Sequence, residues 1–141
     1  MFALGGRRGA RERALELLYE ADLKGQRMSA VLDELPVAPQ PYATEIAGGV
    51  ERHQDRIDEL ISKHAIDWSL DRMPVVDRAV LRMATYELGW SADVPTSVVI
   101  SEAVELAKEY STEDSGGFVN GLLATIAHEL RPDEDKLIAQ P

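Results

Sequence analysis

The stretch PVVDRAVLRMATYELGW, residues 74–90, decides the fold of this chain. Its polar positions are Arg78, Arg82 and Thr85, together with Gly89, and these residues recur at helical spacing. Nearly every other residue in the stretch is apolar. A helix with only a narrow polar stripe is packed on several sides. The stretch is therefore predicted to be the central helix of a bundle, with Pro74 in its first turn.

Apolar residues recur at helical spacing on both sides of this central stretch. One set begins at Ala14, and Gly25 is suited to end its helix. Another set runs through residues 42–64, where Gly48 and Gly49 are expected to kink the helix or split it in two. Two more helices are predicted over residues 96–110 and 115–131. Strand signals are scarce, so the predicted fold class is all-α, a compact bundle of about six or seven helices.

The length and composition narrow the class of protein. A chain of 141 residues fits a single domain over residues 1–141. It contains no cysteine, which excludes disulfides and thiolate chemistry. The sequence shows neither an apolar run long enough for a membrane span nor the apolar stretch of a signal peptide. We therefore expect a cytoplasmic protein with no membrane partner.

Charge is distributed unevenly along the chain. The formal net charge is −10, which argues against broad, non-specific binding of nucleic acid. Residues 1–13, however, contain four arginines and one glutamate. Residues 1–8 are expected to be a flexible basic N-terminus, and residues 133–141 a flexible polar tail. A small basic end on an acidic body is the first functional signal, although a solvated terminus would look the same.

A search for catalytic or metal-binding motifs finds none. The three histidines do not have metal-ligand spacing, and His53 falls in an apolar register that favours a packing role. The pair Gly116 and Gly117 suggests a phosphate loop, but neither a preceding strand nor a Walker lysine accompanies it. We therefore expect no enzyme activity, no cofactor and no metal site.

The basic end becomes more specific when it is wound into a helix. At about 100° per residue, Arg8, Arg11 and Tyr19 fall within about 80° of one another. Arginines bind phosphates and a tyrosine ring can stack on an unpaired base, as in recognition of single-stranded RNA. Arg13 is expected to point toward Glu16 and Glu20 instead. The alternative is that Arg8 and Arg11 are only solvated and that Tyr19 is half-buried.

A second candidate surface surrounds the loop of residues 111–118. Phe118 either begins the apolar stripe of the last helix or leaves its ring partly open at the helix start. Asp114 or Ser115 is suited to cap that helix. Packing and capping remain the simpler interpretations of these residues from the pattern alone.

Three blocks of sequence closely resemble the signature blocks of the NusB family. They are ARERALELLYEADL (residues 10–23), DRAVLRMATYEL (residues 77–88) and DVPTSVVISEAVELAKEYSTEDSGGFVNGLL (residues 93–123). Their order and spacing also agree, and the likeness covers almost the whole chain. The resemblance implies a fold of two packed helical subdomains.

The resemblance also implies a role in transcription antitermination. NusB proteins pair with NusE, a small-subunit ribosomal protein, and the pair binds the boxA element of nascent RNA. They recruit other Nus factors to RNA polymerase, which promotes processive transcription of ribosomal RNA operons. Family members have no known enzymatic activity and vary between monomer and dimer, so a homodimer is one expectation for this chain.

Carried over by position, the family's functional residues fall on two regions of this chain. Those implied to bind RNA are Arg7, Arg8, Arg11, Tyr19, Asp114 and Phe118. Asp77, at the acidic start of the central helix, matches the NusE side. The chain departs from the family at Gly9 and at Gly116–Gly117, where some relatives have polar or basic side chains. These departures predict weaker intrinsic RNA affinity and a greater dependence on NusE.

Two other function classes remain open at this point. Some RNA methyltransferases contain a NusB-like domain joined to a dinucleotide-fold catalytic domain, and this sequence includes no such second domain. The alternative is a protein-interaction module, such as a homodimer that buries the Arg8, Arg11 and Tyr19 face. The two alternatives differ from the NusB role in whether the basic end binds RNA.

Overall fold

The computed structural model describes residues 6–134 and confirms the predicted all-helical bundle. Seven α-helices and one short 3₁₀ helix, Leu70–Arg72, lie within residues 6–131. The α-helices are α1 (Arg7–Lys24), α2 (Met28–Asp33), α3 (Pro41–Arg52), α4 (Gln54–His64), α5 (Val75–Trp90), α6 (Thr96–Tyr110) and α7 (Ser115–Leu130). Within residues 6–134, no helix has the length and apolar character needed to cross a membrane.

Helix α5 lies at the centre of the bundle, where it packs against α1, α3, α4, α6 and α7. Two positions of its predicted polar stripe form ion pairs at the edge of the core. Arg78 contacts Asp22 at 2.6 Å, and Arg82 contacts Asp58 at 2.8 Å. Thr85 departs from the prediction because it is fully buried. Neighbouring helices cover α5 on that side as well, so the polar stripe is shorter than its sequence suggests.

Helix α1 ends where its sequence predicts. Gly25 adopts a left-handed conformation with φ 61°, and its N–H donates to the carbonyls of Ala21 and Asp22. A glycine at this position satisfies the last carbonyls of a helix without steric cost. Ala14 and Leu17, from the predicted apolar set, are buried. These contacts hold the exposed side of α1 in a fixed orientation.

The segment predicted over residues 42–64 is split into α3 and α4, but the break lies at His53 and not at the glycine pair. Gly48 and Gly49 lie inside α3. A Cβ added at Gly49 would lie 2.3 Å from a ring carbon of Tyr86, so this glycine marks a close crossing of α3 and α5. The ring of His53 stacks on Trp90 with 4.4 Å between centroids, which agrees with the predicted packing role.

The apolar side chains form two clusters of unequal size. A large core surrounds α5 and extends between α6 and α7. A smaller cluster joins α1, α2 and α3, and consists of Leu17, Met28, Val31 and Ala47. Helices α1 and α3 also contact α5. The N-terminal helices are thereby fixed against the central helix.

Arg131, just after α7, fixes the loop between α5 and α6. Its guanidinium donates to the carbonyls of Leu88 at 3.0 Å, Ser91 at 3.1 Å and Val94 at 2.8 Å. The last carbonyls of a helix have no partners within the helix, so these bonds satisfy groups that burial would otherwise leave unpaired. The loop held in this way carries Asp93.

The predicted flexible ends fall largely beyond the described residues. Residues 1–5 of the expected basic N-terminus lie outside the described range, while Arg7 and Arg8 form the first turn of α1. Residues 135–141 of the expected polar tail also lie outside it. The Glu134 carboxylate accepts a hydrogen bond from the Thr96 hydroxyl at 2.7 Å.

Candidate nucleic-acid interface

The first turn of α1 presents Arg7 and Arg8 at the surface, and each of them meets a carboxylate. Arg7 contacts Asp93 at 3.2 Å, and both side chains are largely exposed. The Arg7 guanidinium also lies 4.5 Å from the centroid of the Tyr42 ring. A cation over an aromatic face is attracted to it. Arg7 is thus positioned by one ring and one weakly held carboxylate.

Arg8 has a more enclosed partner. Its Nη2 and Nε donate to the same oxygen of Glu102 at 2.8 and 3.1 Å. The side chain of Arg8 is 59% exposed, whereas that of Glu102 is 20% exposed. The hydrogen bonds and charge of Glu102 raise the pKa of Arg8. Both exposed arginines of the basic end are therefore already paired with carboxylates, which lie on α6 and in the loop before α6.

Arg11 is not on the exposed face where the sequence placed it. Its side chain is only 4% exposed, and its Nε and Nη2 donate to the two oxygens of Glu87, both at 2.8 Å. Burial by itself lowers the pKa of Arg11, but the hydrogen bonds and charge of Glu87, together with the charges of Tyr42 and Glu102, raise the pKa overall. The predicted shared surface of Arg8, Arg11 and Tyr19 is corrected to Arg8 and Tyr19, because α5 covers the third position.

Tyr42 completes this buried ion pair. Its hydroxyl donates to Glu87 at 2.6 Å, so the carboxylate is bound by α1 and α3 together. Burial, the hydrogen bond to Glu87 and the charge of Glu87 all raise the pKa of Tyr42. A buried charge is tolerated only when it is paired and hydrogen-bonded. Arg11, Tyr42 and Glu87 therefore form one structural unit behind the exposed arginines.

Tyr19 lines an open groove along α1. Its side chain is 40% exposed. The groove has a volume of about 1020 Å³ and is bounded by α1, the loop before α3, the start of α5 and the end of α6. Its apolar and aromatic lining residues are Leu15, Tyr19, Leu23, Pro39, Val76 and Tyr110. An exposed ring beside a wide groove is accessible to a flat ligand such as a nucleobase.

The charged residues on the rim of this groove are paired. Arg13 contacts Glu16, one of its two predicted partners, at 3.9 Å. The Tyr110 hydroxyl donates to Glu12 at 2.8 Å, and this bond raises the pKa of Tyr110 to about 12. The Glu12 bond joins the end of α6 to α1. The groove is therefore held open between two helices and has little unbalanced charge of its own.

The second predicted surface lies at the start of α7. Asp114 is exposed at the N-cap position, although its side chain makes no capping hydrogen bond. Phe118 is partly buried, and its ring centroid lies 6.2 Å from that of Trp68. Trp68 is 48% exposed, and both rings line a cleft of about 300 Å³. The partly open ring that the sequence allowed for Phe118 is thus paired with a second aromatic side chain.

Asp77, the predicted partner-binding residue, is buried. Its carboxylate accepts hydrogen bonds from the hydroxyls of Ser111 and Ser115. The Ser115 hydroxyl also accepts the backbone N–H of Thr112 at 3.2 Å. Asp77 therefore does not present its carboxylate to a partner in this structure, because the loop before α7 covers it. It positions that loop, and with it Asp114.

Sequence reasoning missed the acidic partners of the arginines and the aromatic partner of Phe118. Glu87 had a detectable signal, since it lies at helical spacing from the buried Val80 and Ala84. A carboxylate on an apolar stripe requires a buried cation. Glu102 and Trp68 gave no such signal, because an acidic helix face and an aromatic residue in a connector both suit a solvated surface.

Metal binding finds no support in the part of the chain that the structure describes. No three histidine, aspartate or glutamate residues within residues 6–134 are grouped so that they could hold a metal ion. The paired arginines, the exposed Tyr19 and the groove instead provide groups that recognise phosphate and nucleobases.

Comparison with known sequences gives a consistent family assignment. A sequence profile of the NusB family matches residues 8–128. The curated transcription antitermination protein NusB of Kineococcus radiotolerans is 51% identical over 128 residues, covering 88% of this chain and 94% of the relative. The curated protein of the same description from Thermobifida fusca is 48% identical over 126 residues, covering 86% of this chain and 89% of the relative.

Solved structures agree with the sequence comparison. NusB of T. maritima superposes with a TM-score of 0.83 at 39% identity, covering 92% of this chain and 95% of that chain. A structure of the antitermination factors NusB and NusE in complex with double-stranded RNA contains a chain that superposes with a TM-score of 0.74 at 33% identity. That match covers 87% of this chain and 96% of the other.

Proposed function

The chain belongs to the NusB family of transcription antitermination proteins, and from this premise we propose that it binds RNA together with a NusE partner as a non-catalytic adaptor. The RNA element that we propose is boxA in nascent transcripts. Its assembly with NusE, other Nus factors and RNA polymerase in the cytoplasm would promote processive transcription of ribosomal RNA operons. The related NusB chain solved with NusE and RNA supports this choice of partners.

One observation carries the RNA part of the proposal. Arg8 and Tyr19 are both exposed, with 59% of the Arg8 side chain and 40% of Tyr19 accessible. At about 100° per residue they lie within about 20° of each other around α1, and roughly 16 Å apart along its axis. A guanidinium and an aromatic ring on one helix face bind a phosphate and a base of the same strand.

We assign different roles to the residues that the sequence grouped together. Arg7 and Arg8 bind phosphates, and Tyr19 stacks on a base beside the groove. Arg11 acts as a positioning residue, because its guanidinium is occupied by Glu87 and fixes α1 against α5. The exposed side of α1 is therefore presented in one orientation.

The surface at the start of α7 is the second part of the proposal. Asp114 and Phe118 contact RNA there, next to the NusE partner, and Asp77 supports this surface through the loop that it holds. The net charge of −10 disfavours RNA binding by this chain alone. We therefore expect RNA binding to depend on the NusE partner.

Fluorescence anisotropy tests the proposed function directly. The probe is a fluorescent boxA-like RNA, measured with and without NusE at several salt concentrations and compared with a scrambled RNA. The proposal predicts tighter, sequence-selective binding when NusE is present, and an affinity that falls as salt rises. Binding of NusE without RNA binding under any condition would overturn the RNA role. A dimer mass from light scattering, with Tyr19 buried between the two copies, would then favour the protein-interaction alternative.

A further inference from the structure

Glu102, on α6, faces two arginines of α1 at once. Its Oε2 accepts hydrogen bonds from Arg8, the shorter at 2.8 Å. Its other oxygen, Oε1, lies 4.0 Å from Nη1 of Arg11. A single carboxylate thus bridges an exposed guanidinium and a buried one. Such a bridge couples the proposed RNA surface to the structural unit behind it.

The two arginines depend on Glu102 to different degrees. Arg11 already binds both oxygens of Glu87, and its side chain is enclosed. Arg8 has most of its surface in solvent, where its side chain is free to change rotamer. Arg8 can therefore leave Glu102 at small cost. Glu102 would still lie beside the positive charge of Arg11.

We propose that Glu102 is a displaceable competitor of RNA phosphate for Arg8, and that it sets the strength with which the α1 surface binds RNA. The inference rests on the proposed function. Carboxylate and phosphate oxygens accept hydrogen bonds from a guanidinium in the same way, so only one of them occupies its paired donors at a time. On RNA binding, Arg8 exchanges Glu102 for a phosphate, and Glu102 remains paired with Arg11.

The neighbouring pair of Arg7 and Asp93 is a weaker version of the same arrangement. Asp93 is 72% exposed and contacts Arg7 at 3.2 Å. Solvent and salt screen such a pair more strongly than an enclosed one. Glu102 is therefore the carboxylate whose removal should change RNA affinity most.

The test compares Glu102→Gln with wild type in the anisotropy assay, using the boxA-like RNA and the scrambled RNA, with NusE present. An exposed ion pair contributes modestly, so E102Q is expected to tighten binding about two- to fivefold. The factor should be the same for both RNAs, because a phosphate contact carries no sequence information. The matched control is Glu105→Gln on the same helix. Glu105 acts on Arg8 through its charge alone, so a smaller gain is expected.

The same comparison in an Arg8→Ala background isolates the exchange. There, E102Q should add no more than E105Q does, since the donor for which Glu102 competes is gone. Glu102→Asp, which keeps the charge but shortens the side chain, should give a gain smaller than that of E102Q. This variant also provides a test if E102Q fails to fold.

Three outcomes would overturn the inference while wild type still binds RNA. They are an E102Q affinity equal to or below that of wild type, equal gains for E102Q and E105Q, and an E102Q gain that persists without Arg8. If wild type itself does not bind RNA with NusE present, the proposed function fails, and this inference fails with it.

Discussion

Arg8 and Arg11 lie three residues apart on one helix and share Glu102 as a neighbour, yet their surroundings are opposite. The side chain of Arg8 is 59% exposed and that of Arg11 is 4% exposed. Three residues turn a helix by about 300°, which leaves the two side chains about 60° apart. That angle is enough to place Arg11 against α5 and to leave Arg8 exposed to solvent. A basic cluster in a sequence is therefore not automatically one site.

The difference between the two arginines also separates stability from binding. A buried ion pair whose partner is removed leaves an uncompensated charge in the core, which is strongly destabilising. An exposed pair is screened by water and salt, and its loss is felt little by the fold. We therefore expect substitutions of Arg11 to act on folding and substitutions of Arg8 to act on RNA binding.

The largest effect should come from Arg11→Met, which leaves the Glu87 carboxylate buried with only the Tyr42 hydroxyl. Breaking a buried pair in this way is expected to lower the free energy of unfolding by about 3–5 kcal/mol. Urea denaturation measures the change. Arg8→Met is the matched control and should leave the unfolding midpoint almost unchanged. Equal shifts for the two variants would show that the buried and the exposed arginine contribute equally to stability.

Gly49→Ala tests the same buried region from α3, the helix that carries Tyr42. An added Cβ would lie 2.3 Å from the buried Tyr86 ring, so the ring or the two helices must shift. Overpacking of this kind is expected to cost about 1–3 kcal/mol in the free energy of unfolding. Gly48→Ala is the control, because its new Cβ would meet only the flexible end of Arg52. Thermal or urea unfolding that ranks Gly48→Ala as the more damaging change would refute this close contact.

Tyr19→Ala tests the exposed side of α1. Loss of one stacked base is expected to weaken RNA binding by about 1–3 kcal/mol, with no comparable loss of stability. Tyr19→Phe keeps the ring and should bind RNA nearly as well as wild type. Anisotropy with NusE present measures both variants. If the phenylalanine variant is as weak as the alanine variant, the hydroxyl and not the ring makes the contact.

The smallest effect is expected at an exposed ion pair far from either arginine. Lys63 and His64 bind Glu129, and their hydrogen bonds lower the pKa of Glu129 to about 2 from an ordinary value of 4.5. The ionised form is therefore favoured in the folded state. Its stabilising contribution is complete above about pH 4.5 and is lost as the pH falls toward 2.

Glu129→Gln should flatten that part of the pH profile of stability, measured by thermal unfolding between pH 2 and 6. Glu16→Gln is the control, since Glu16 pairs with Arg13 within one helix and lies outside the network of Glu129. A profile for Glu129→Gln that keeps the full acid dependence of wild type would show that other carboxylates account for it.

The central helix and the end of α1 were predictable because each depends on residues that are close together in the sequence. Apolar spacing identified α5, and Gly25 ends α1 in the conformation that glycine favours. Positions that depend on a neighbouring helix were not predictable in this way. Thr85 is buried because α5 is covered on its polar side. Gly49 lies inside α3, where its backbone approaches the Tyr86 ring, and the chain breaks at His53 instead.

In the candidate site, too, the sequence predicted what depends on one helix and missed what depends on a neighbouring element. Arg8 and Tyr19 share a helix face in any straight helix, so their spacing was sufficient to predict it. The burial of Arg11 depends on Glu87, which is 76 residues away in the chain. Asp77 likewise starts the central helix at a position where polar residues suit a surface, and only the folded loop of Ser111 and Ser115 shows that it is covered.

Whether the α1 surface binds RNA phosphate is tested most directly by comparing two variants, Arg8→Ala and Arg56→Ala. Their RNA affinities are measured with NusE present and over a range of salt. Both variants remove one exposed, paired arginine, but Arg56 lies on α4. We expect Arg8→Ala to weaken RNA binding and to reduce the salt slope by about one, and Arg56→Ala to do neither. Equal affinities and slopes for the two variants would contradict this expectation, because the α1 surface would then not be where the RNA phosphate binds.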